Sequence, residues 1–334
     1  MDAVNHQFRL AARPEGLPKE SDWDRTEEPV GEPGEGEVLV KTLYLSLDPA
    51  MRGWMNEGRS YIPPVGIGEV MRALAAGEVV ASNHSGFAPG DHVTGLLGVQ
   101  EYAIASGDAL MKVDTDLAPL PVYLSTLGMP GMTAYFGLLD IGRPAAGETV
   151  VVSGAAGAVG GLVGQIAKFK GARAIGIAGG EDKCRHIVDE LGFDAAIDYK
   201  AGDLDAALGE HCPDGIDVYF DNVGGEILDA ALARLGRNAR VVICGAISQY
   251  NASAAMKGPS NYMSLLVNHA SMTGFVFSDY LDRLGEGAQD MAGWLAAGDL
   301  KSREDVAEGF DNFPETLLRL FEGANTGKLV LAVG

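Results

Sequence analysis

Cysteine is scarce in this chain, and its scarcity excludes two classes of protein. Only Cys184, Cys212 and Cys244 occur among 334 residues, too few and too scattered for a disulfide framework or a paired-cysteine metal lobe. The sequence also lacks an apolar run long enough to cross a bilayer, and its N-terminus lacks a basic-then-apolar leader. We therefore expect a cytoplasmic protein with reduced cysteines and no membrane span.

Positive charge is also in short supply. The 25 Lys and Arg residues stand against 46 Asp and Glu residues, and the formal net charge is −21. A phosphate backbone or an anionic lipid surface would repel such a chain, so we predict neither nucleic acid nor membrane as a partner. Any phosphate-bearing cofactor would have to be held by local N–H groups and a few placed cations.

Glycine, by contrast, is concentrated in one informative stretch. Residues 147–160 read GETVVVSGAAGAVG, a β-branched strand followed by a small-residue turn and the start of a helix. Gly157 and Gly160 hold the second and third places of a G-x-G-x-x-G pattern, and Ala155 holds the first. A pyrophosphate needs this order, because small residues let the backbone approach and the helix offers N–H groups. An ordinary tight turn is the alternative; the flanking strand and helix favour a dinucleotide site.

The pattern of predicted secondary structure changes near residue 149. The first 125 residues alternate short strands with Gly and Pro turns, which is typical of a β-rich domain. Further on, strands and helices alternate, which predicts an α/β doubly wound parallel sheet. The predicted strands there span 149–153, 172–178, 195–198, 216–220, 240–246 and 272–277, and helices span 181–191, 226–235 and 313–321. A last strand, 328–333, is expected to rejoin the first domain's sheet.

The end of the second predicted strand bears on the choice of nucleotide. NAD sites usually carry an acidic residue about 20 residues after the glycine turn. Here the strand ends in Ala178-Gly179-Gly180 with no acid, and Lys183 follows. A lysine without the acid suits a 2′-phosphate and favours NADP(H) over NAD(H). The alternative is an ordinary solvent-facing helix lysine, and Glu181 and Asp182 beside it weaken the electrostatic argument.

Several strings together resemble a known family. They are LSLDPAMRGWM, GMPGMTAYFGLLDIG, GAAGAVG, FDNVGG, CGAISQYN and ANTGK, in family order over essentially the whole chain. They resemble the zinc-independent medium-chain dehydrogenase/reductases, in the branch of prostaglandin, alkenal double-bond and bacterial curcumin reductases. The resemblance implies a homodimer with a Rossmann NADP(H)-binding domain at 127–298. It also implies a discontinuous GroES-like catalytic domain at 1–126 and 299–334.

The same resemblance implies a set of cofactor contacts. They are Gly157, Ala158, Val159 and Gly160 at the pyrophosphate, Lys183 and Tyr199 at the adenosine phosphate, Asn222, Cys244, Gly245, Ala246, Ile247 and Ser248 after the fourth and fifth strands, Met132, Thr133, Phe275, Val276 and Phe277 beside the nicotinamide, and Asn325 from the C-terminal segment. Taken alone, Asn222 could be a turn former, and Phe275 and Phe277 could be plain sheet residues.

Zinc enzymes of this fold need Cys, His and carboxylate ligands, and the corresponding segments 45–50 and 64–69 contain no Cys or His. We therefore predict no metal site and expect conjugate reduction. NADPH would deliver hydride to the β-carbon of an α,β-unsaturated ketone or aldehyde. Tyr250 and the cofactor's ribose hydroxyl would stabilise the enolate oxygen. The alternative for Tyr250 is a loop residue that only stacks on the substrate.

The predicted substrate pocket draws on Met51, Arg52, Tyr61 and the loop after Tyr250. The family commonly has a tyrosine where this chain has Ala50, so we expect a reshaped pocket. For Arg52, an internal ion pair with a carboxylate is the favoured alternative. Two other functions are also compatible with the sequence: a quinone reductase of the same superfamily, and a non-catalytic NADPH-binding structural protein.

Overall fold

The structure, a computed structural model, describes residues 3–253 and 257–334. They form two compact units. One comprises the described chain up to Leu124 together with Glu304–Gly334, and we call it the β-rich unit. The other comprises Ser125–Arg303, and we call it the parallel-sheet unit. Among the described residues, no helix is long and apolar enough to cross a membrane.

The secondary structure follows in chain order. The strands are β1 Val4–Leu10, β2 Trp23–Pro29, β3 Glu37–Ser46, β4 Leu74–Ser82, β5 His92–Leu96, β6 Tyr102–Ser106, β7 Met111–Lys112, β8 Thr149–Ser153, β9 Arg173–Ala178, β10 Ala195–Asp198, β11 Ile216–Asp221, β12 Leu235–Ile243, β13 Ser271–Gly274, β14 Glu304–Glu308 and β15 Lys328–Ala332. The α-helices are α1 Ala50–Trp54, α2 Met129–Phe136, α3 Ala158–Phe169, α4 Glu181–Asp189, α5 Leu204–His211, α6 Gly225–Ala233, α7 Met263–Val267, α8 Leu284–Ala297 and α9 Phe313–Glu322.

The β-rich unit is built on a mixed sheet with strand order β14-β15-β3-β4-β5-β7, and β6 also pairs with β3. β15 pairs antiparallel with β3, with Val330 opposite Ser46. This pairing confirms that the last strand joins the sheet formed by the first part of the chain. The core beneath it is apolar, and Leu45, Met51 and Phe313 are among its fully buried members.

The parallel-sheet unit contains one six-stranded parallel sheet with the order β10-β9-β8-β11-β12-β13. Val150, Val151 and Val152 of β8 are completely buried, as expected for a strand covered on both faces. The strand order reverses between β8 and β11, and ligands of open α/β sheets bind at the carboxyl ends of the strands at such a point. The predicted fold class is confirmed.

β12 and β13 each end three residues before the predicted end, and hydrogen bonding explains both differences. β12 ends at Ile243 because the N–H groups of Cys244 and Gly245 turn to the carbonyl of Asp221, at 2.9 and 3.0 Å. β13 ends at Gly274, and a 3₁₀-helix begins at Phe277. The Val276 N–H donates to the Asp279 carboxylate at 3.2 Å, so the chain leaves the sheet before Phe277.

Candidate active site

The glycine turn joins β8 to α3 at the point where the strand order reverses. Gly154 has a positive φ of 61°. A Cβ on Gly160 would lie 2.4 Å from the Gly154 carbonyl oxygen and 2.9 Å from the Ala155 Cα, so only glycine fits there. Gly157 is the N-cap of α3 and has no side chain to accept from the first-turn N–H groups. Backbone approach and an open helix N-terminus fit a dinucleotide pyrophosphate.

The end of β11 is tied directly to this turn. The Asn222 side-chain amide donates to the Ser153 carbonyl at 2.7 Å, and its backbone N–H donates to the Ser153 hydroxyl at 2.9 Å. Asn222 therefore holds the end of β11 against the last residue of β8. The interpretation of Asn222 as a turn former does not account for these bonds.

A buried carboxylate lies beneath both strand ends. Asp221 is 1% exposed and accepts from the hydroxyls of Ser153 and Tyr219, at 2.9 and 3.0 Å. It also accepts from the backbone N–H groups of Val223 and Gly224. Burial raises the pKa of Asp221, and these donors oppose the rise. Asp221 was not among the predicted site residues, although it stands within the FDNVGG string.

The segment after β12 runs beside the end of β11. The Ile247 N–H donates to the Asn222 carbonyl at 3.3 Å, and the Ser248 N–H donates to the Val223 carbonyl at 3.2 Å. Burial, together with the nearby Asp221 carboxylate, raises the pKa of the Cys244 thiol to about 12. Cys244 is therefore a protonated thiol at neutral pH and not a nucleophile.

Tyr250 folds back over this segment. Its hydroxyl accepts from the Ala246 N–H at 3.1 Å. A Cβ on Gly245 would lie 3.0 Å from the Tyr250 hydroxyl oxygen, so the absence of a side chain at residue 245 lets the hydroxyl lie close to the backbone. The structure thus fixes the Tyr250 hydroxyl at the carboxyl end of β12.

Aromatic packing fixes the segment after β13. The Phe275 ring meets the rings of Phe220 and Tyr280 edge-on, with centroid distances of 6.5 and 6.3 Å. A Cβ on Gly137 would lie 2.5 Å from the Phe275 Cζ atom. Gly137 begins a short π-helix, Gly137–Gly142, that sequence analysis did not predict. Phe275 therefore packs against one ring from β11 and one from the 3₁₀-helix after β13, beside Gly137, and lies outside β13 itself.

The predicted α2 contacts differ in exposure. Met132 is 3% exposed, and its sulfur would lie 2.8 Å from a Cβ on Gly287 in α8, so its side chain packs inside the unit. Thr133 is half-buried, and its hydroxyl donates to the Met129 carbonyl at 2.7 Å.

At the other end of the predicted cofactor site, β9 ends at Ala178 and α4 begins at Glu181. Lys183 lies half-buried in the first turn of α4, and Tyr199 is exposed directly after β10.

The remaining predicted residues belong to the β-rich unit. Met51 is completely buried in the apolar core. Arg52 is 3% exposed and donates to the carbonyls of Gly16 and Pro14, at 3.1 and 2.9 Å. Tyr61 is 60% exposed. Met51 and Arg52 are thus interior residues, and Tyr61 is the exposed member of the predicted trio. Asn325 donates to the Gly327 carbonyl at 2.9 Å.

The parallel sheet has the strand order of a Rossmann fold, and the glycine turn lies where that order reverses. These features indicate the class of protein, a dinucleotide-dependent oxidoreductase. Two family models match the chain: one described as the N-terminal domain of oxidoreductase over residues 6–113, and one described as zinc-binding dehydrogenase over residues 158–293. In residues 3–253 and 257–334, no group of three or more His, Cys, Asp or Glu side chains is arranged to hold a metal ion.

Full-length relatives specify the family. The chain is 52% identical to a Bacillus subtilis protein described as an NADP-dependent oxidoreductase, over 100% of this chain and 99% of the relative. It is 40% identical to an NADP⁺-dependent 2-alkenal reductase of Nicotiana tabacum, over 99% and 98% of the two chains. The crystal structure of CurA from Vibrio vulnificus with NADPH superposes with a TM-score of 0.94, at 45% identity over 98% and 99% of the chains. The chain belongs to the zinc-independent branch of the medium-chain dehydrogenase/reductases.

Proposed function

We propose that this chain uses NADPH to reduce the C=C bond of α,β-unsaturated ketones and aldehydes, with hydride transfer to the β-carbon. The observation that carries the proposal is the Tyr250 hydroxyl, which the Ala246 N–H orients at the carboxyl end of β12. The full-length similarity to a 2-alkenal reductase supports the same substrate class.

The cofactor would be held mainly by the parallel-sheet unit. The Gly157–Gly160 turn would receive the pyrophosphate, and Lys183 and Tyr199 would receive the adenosine end. Phe275, Val276 and Phe277 would lie along the nicotinamide, with Thr133 on α2. The fit rests on the glycine turn, where a side chain on Gly160 would strike backbone atoms. When bound, NADPH supplies the hydride.

Tyr250 would act on the substrate oxygen. Hydride addition to the β-carbon moves negative charge onto the carbonyl oxygen, and a hydroxyl aimed there stabilises that charge. A phenol both accepts and donates hydrogen bonds, so the bond from Ala246 orients the hydroxyl for donation. The α-carbon then takes a proton to complete the saturated product.

Replacing Tyr250 by Phe tests this role. We expect kcat on a linear 2-alkenal to fall about a hundred- to thousandfold, the usual cost of losing one oxyanion donor. The NADPH dissociation constant should stay within twofold of the wild-type value. Tyr262→Phe is the matched control, because Tyr262 is 58% exposed on the same unit. A Tyr250→Phe enzyme with wild-type kcat would remove Tyr250 from the mechanism.

We further propose that the chain forms two domains with different roles. Residues 127–298 would bind NADP(H) and contribute Tyr250, and residues 1–126 and 299–334 would form the GroES-like substrate and catalytic domain. Tyr61 is the exposed candidate among its predicted substrate contacts. The three cysteines are free, which is consistent with a reducing cytoplasmic compartment.

We also propose a homodimer formed at the edge of the parallel sheet. β13 is an edge strand, and each of its four residues is exposed. Nearby, Leu266 and Val267 of α7 are 70% and 71% exposed. An exposed edge with apolar neighbours is suited to pairing with a second copy. Light scattering of the purified protein should give twice the chain mass of 34.9 kDa; the single mass would reject the dimer.

A further inference from the structure

The turn between β9 and α4 corresponds to the turn that contacts the adenosine ribose in dinucleotide-binding sites. In NAD sites an acidic side chain about 20 residues after the glycine turn binds the ribose hydroxyls. Here Gly179 and Gly180 stand in that place. The side chains of Tyr199 and Lys200, which directly follow β10, lie against Gly179.

Contacts with Gly179 define where these two side chains lie. A Cβ on Gly179 would lie 2.9 Å from the Lys200 Cε atom and 2.9 Å from the Tyr199 Cε1 atom. The space that an acidic side chain would need is therefore filled by an aromatic ring and a lysine stem. A carboxylate at residue 179 would have to displace both.

The Lys200 ammonium lies beside the Tyr199 ring. Its Nζ atom lies 5.8 Å from the centroid of the Tyr199 ring, within the range of a cation–π contact. Its backbone N–H donates to the Asp198 carboxylate at 2.9 Å, and the Gly180 N–H donates to the same oxygen at 2.9 Å. This shared acceptor fixes the end of β10 against the turn that precedes α4.

The acidic neighbours are engaged by other groups. Arg185 forms ion pairs with Glu181 at 3.1 Å and with Asp182 at 3.4 Å. Backbone donation from Gly180 and Lys200 lowers the pKa of Asp198, so its charge is balanced by two N–H dipoles. These pairings offset the negative charge that Glu181, Asp182 and Asp198 would otherwise present to a phosphate near Lys183.

We infer that Lys200 is a second cationic contact for the 2′-phosphate of NADPH and, with Lys183, sets the preference for NADPH over NADH. The inference rests on the proposed function, because it takes NADP(H) as the cofactor. Two lysine side chains would also offset the electrostatic repulsion between a phosphate group and a chain whose formal net charge is −21.

Direct cofactor titration tests the inference without enzyme turnover. Dissociation constants for NADPH and NADH would be measured by cofactor fluorescence on wild type, Lys200→Ala, Lys200→Arg and Lys170→Ala. Lys170 is the matched control: it is exposed, and it is the C-cap of α3, at the opposite end of that helix from the glycine turn. Lys200 is itself exposed, so its replacement should not disturb folding.

We expect Lys200→Ala to raise the NADPH dissociation constant about tenfold, as the loss of one charge-assisted contact predicts. The NADH constant should stay within twofold, Lys200→Arg should retain most of the NADPH affinity, and Lys170→Ala should match wild type. The inference fails if Lys200→Ala binds NADPH like wild type, or if the NADPH and NADH constants rise together. A wild-type protein without measurable NADPH affinity would instead reject the proposed function itself.

Discussion

At the scale of single residues, Gly160 is the most constrained position of the cofactor turn. An added methyl group would meet the Gly154 carbonyl oxygen at 2.4 Å and the Ala155 Cα at 2.9 Å. Both are backbone atoms that cannot rotate away. We expect Gly160→Ala to weaken NADPH binding at least tenfold and to cost about 1–3 kcal/mol of stability through overpacking. Fluorescence titration and thermal unfolding measure the two effects.

Gly293→Ala provides the control for that substitution. Gly293 lies inside α8, and a Cβ there would meet nothing within 4 Å. Alanine should therefore stabilise the helix by up to about 1 kcal/mol and leave NADPH affinity unchanged. Equal NADPH affinity in the Gly160→Ala and Gly293→Ala proteins would contradict the assignment of the turn.

Asn222 and Tyr250 were predicted as site residues from the sequence, but their hydrogen-bond partners could not be predicted from it. The acceptor of the Asn222 amide is the carbonyl of Ser153, 69 residues earlier in the chain. Asp221 escaped notice because an acid next to Asn and Gly is also typical of an ordinary turn. Its burial and its hydroxyl donors come from tertiary packing. Met51 and Arg52 were predicted for the pocket, and only the structure shows that they are interior.

At the scale of elements, an ion pair links the start of β8 to β12. Arg240 bonds to both carboxylate oxygens of Glu148, at 3.0 and 2.5 Å. The pKa of Glu148 is lowered: burial alone would raise it, but hydrogen bonds from Arg240 and the Ala145 N–H outweigh that effect. A depressed carboxylate pKa stabilises the fold above the unfolded value of about 4.5. That stabilisation is lost as the pH falls through the lower, folded value.

We therefore expect Glu148→Gln to lower the free energy of unfolding by about 1–2 kcal/mol at pH 7. The deficit should shrink as the pH falls through the folded pKa, below 4.5. Thermal unfolding from pH 3 to 8 measures it. Asp205→Asn, which breaks the exposed Asp205–Arg234 pair, should have a smaller effect. A Glu148→Gln deficit that is constant with pH would refute the linkage.

Strand prediction succeeded where a short apolar run stands between turn residues. The predicted bounds 149–153 and 195–198 are those of β8 and β10. The prediction failed at the end of β12, where two successive N–H groups share the Asp221 carbonyl at the end of β11. It also failed at the end of β13, where the Val276 N–H donates to the Asp279 carboxylate. The π-helix at Gly137–Gly142 was also missed, because its sequence carries no feature that separates it from an α-helix.

At the scale of the whole molecule, a buried ion pair connects the two segments of the chain that form the β-rich unit. The Lys328 ammonium is 2.8 Å from the Asp48 carboxylate and 2.6 Å from the Leu47 carbonyl, and both side chains are buried. Removing one partner of a buried pair typically costs about 3–5 kcal/mol. We expect Lys328→Ala to lower the unfolding temperature by roughly 10 °C, as measured by calorimetry.

The ion pair Lys112–Asp91, also in the β-rich unit, supplies the comparison, because the Lys112 side chain is 55% exposed. Lys112→Ala should shift the unfolding temperature little, because exposed ion pairs contribute little. If the two lysine variants unfold at the same temperature, the buried pair does not stabilise this unit.

The central claim is that the whole protein is an NADPH-dependent C=C reductase. The most direct measurement is the product mass and structure after incubation with NADPH and a linear 2-alkenal. We expect a product heavier by two hydrogens, with the aldehyde retained and the double bond saturated. An allylic alcohol, with the double bond intact and the carbonyl reduced, would contradict it.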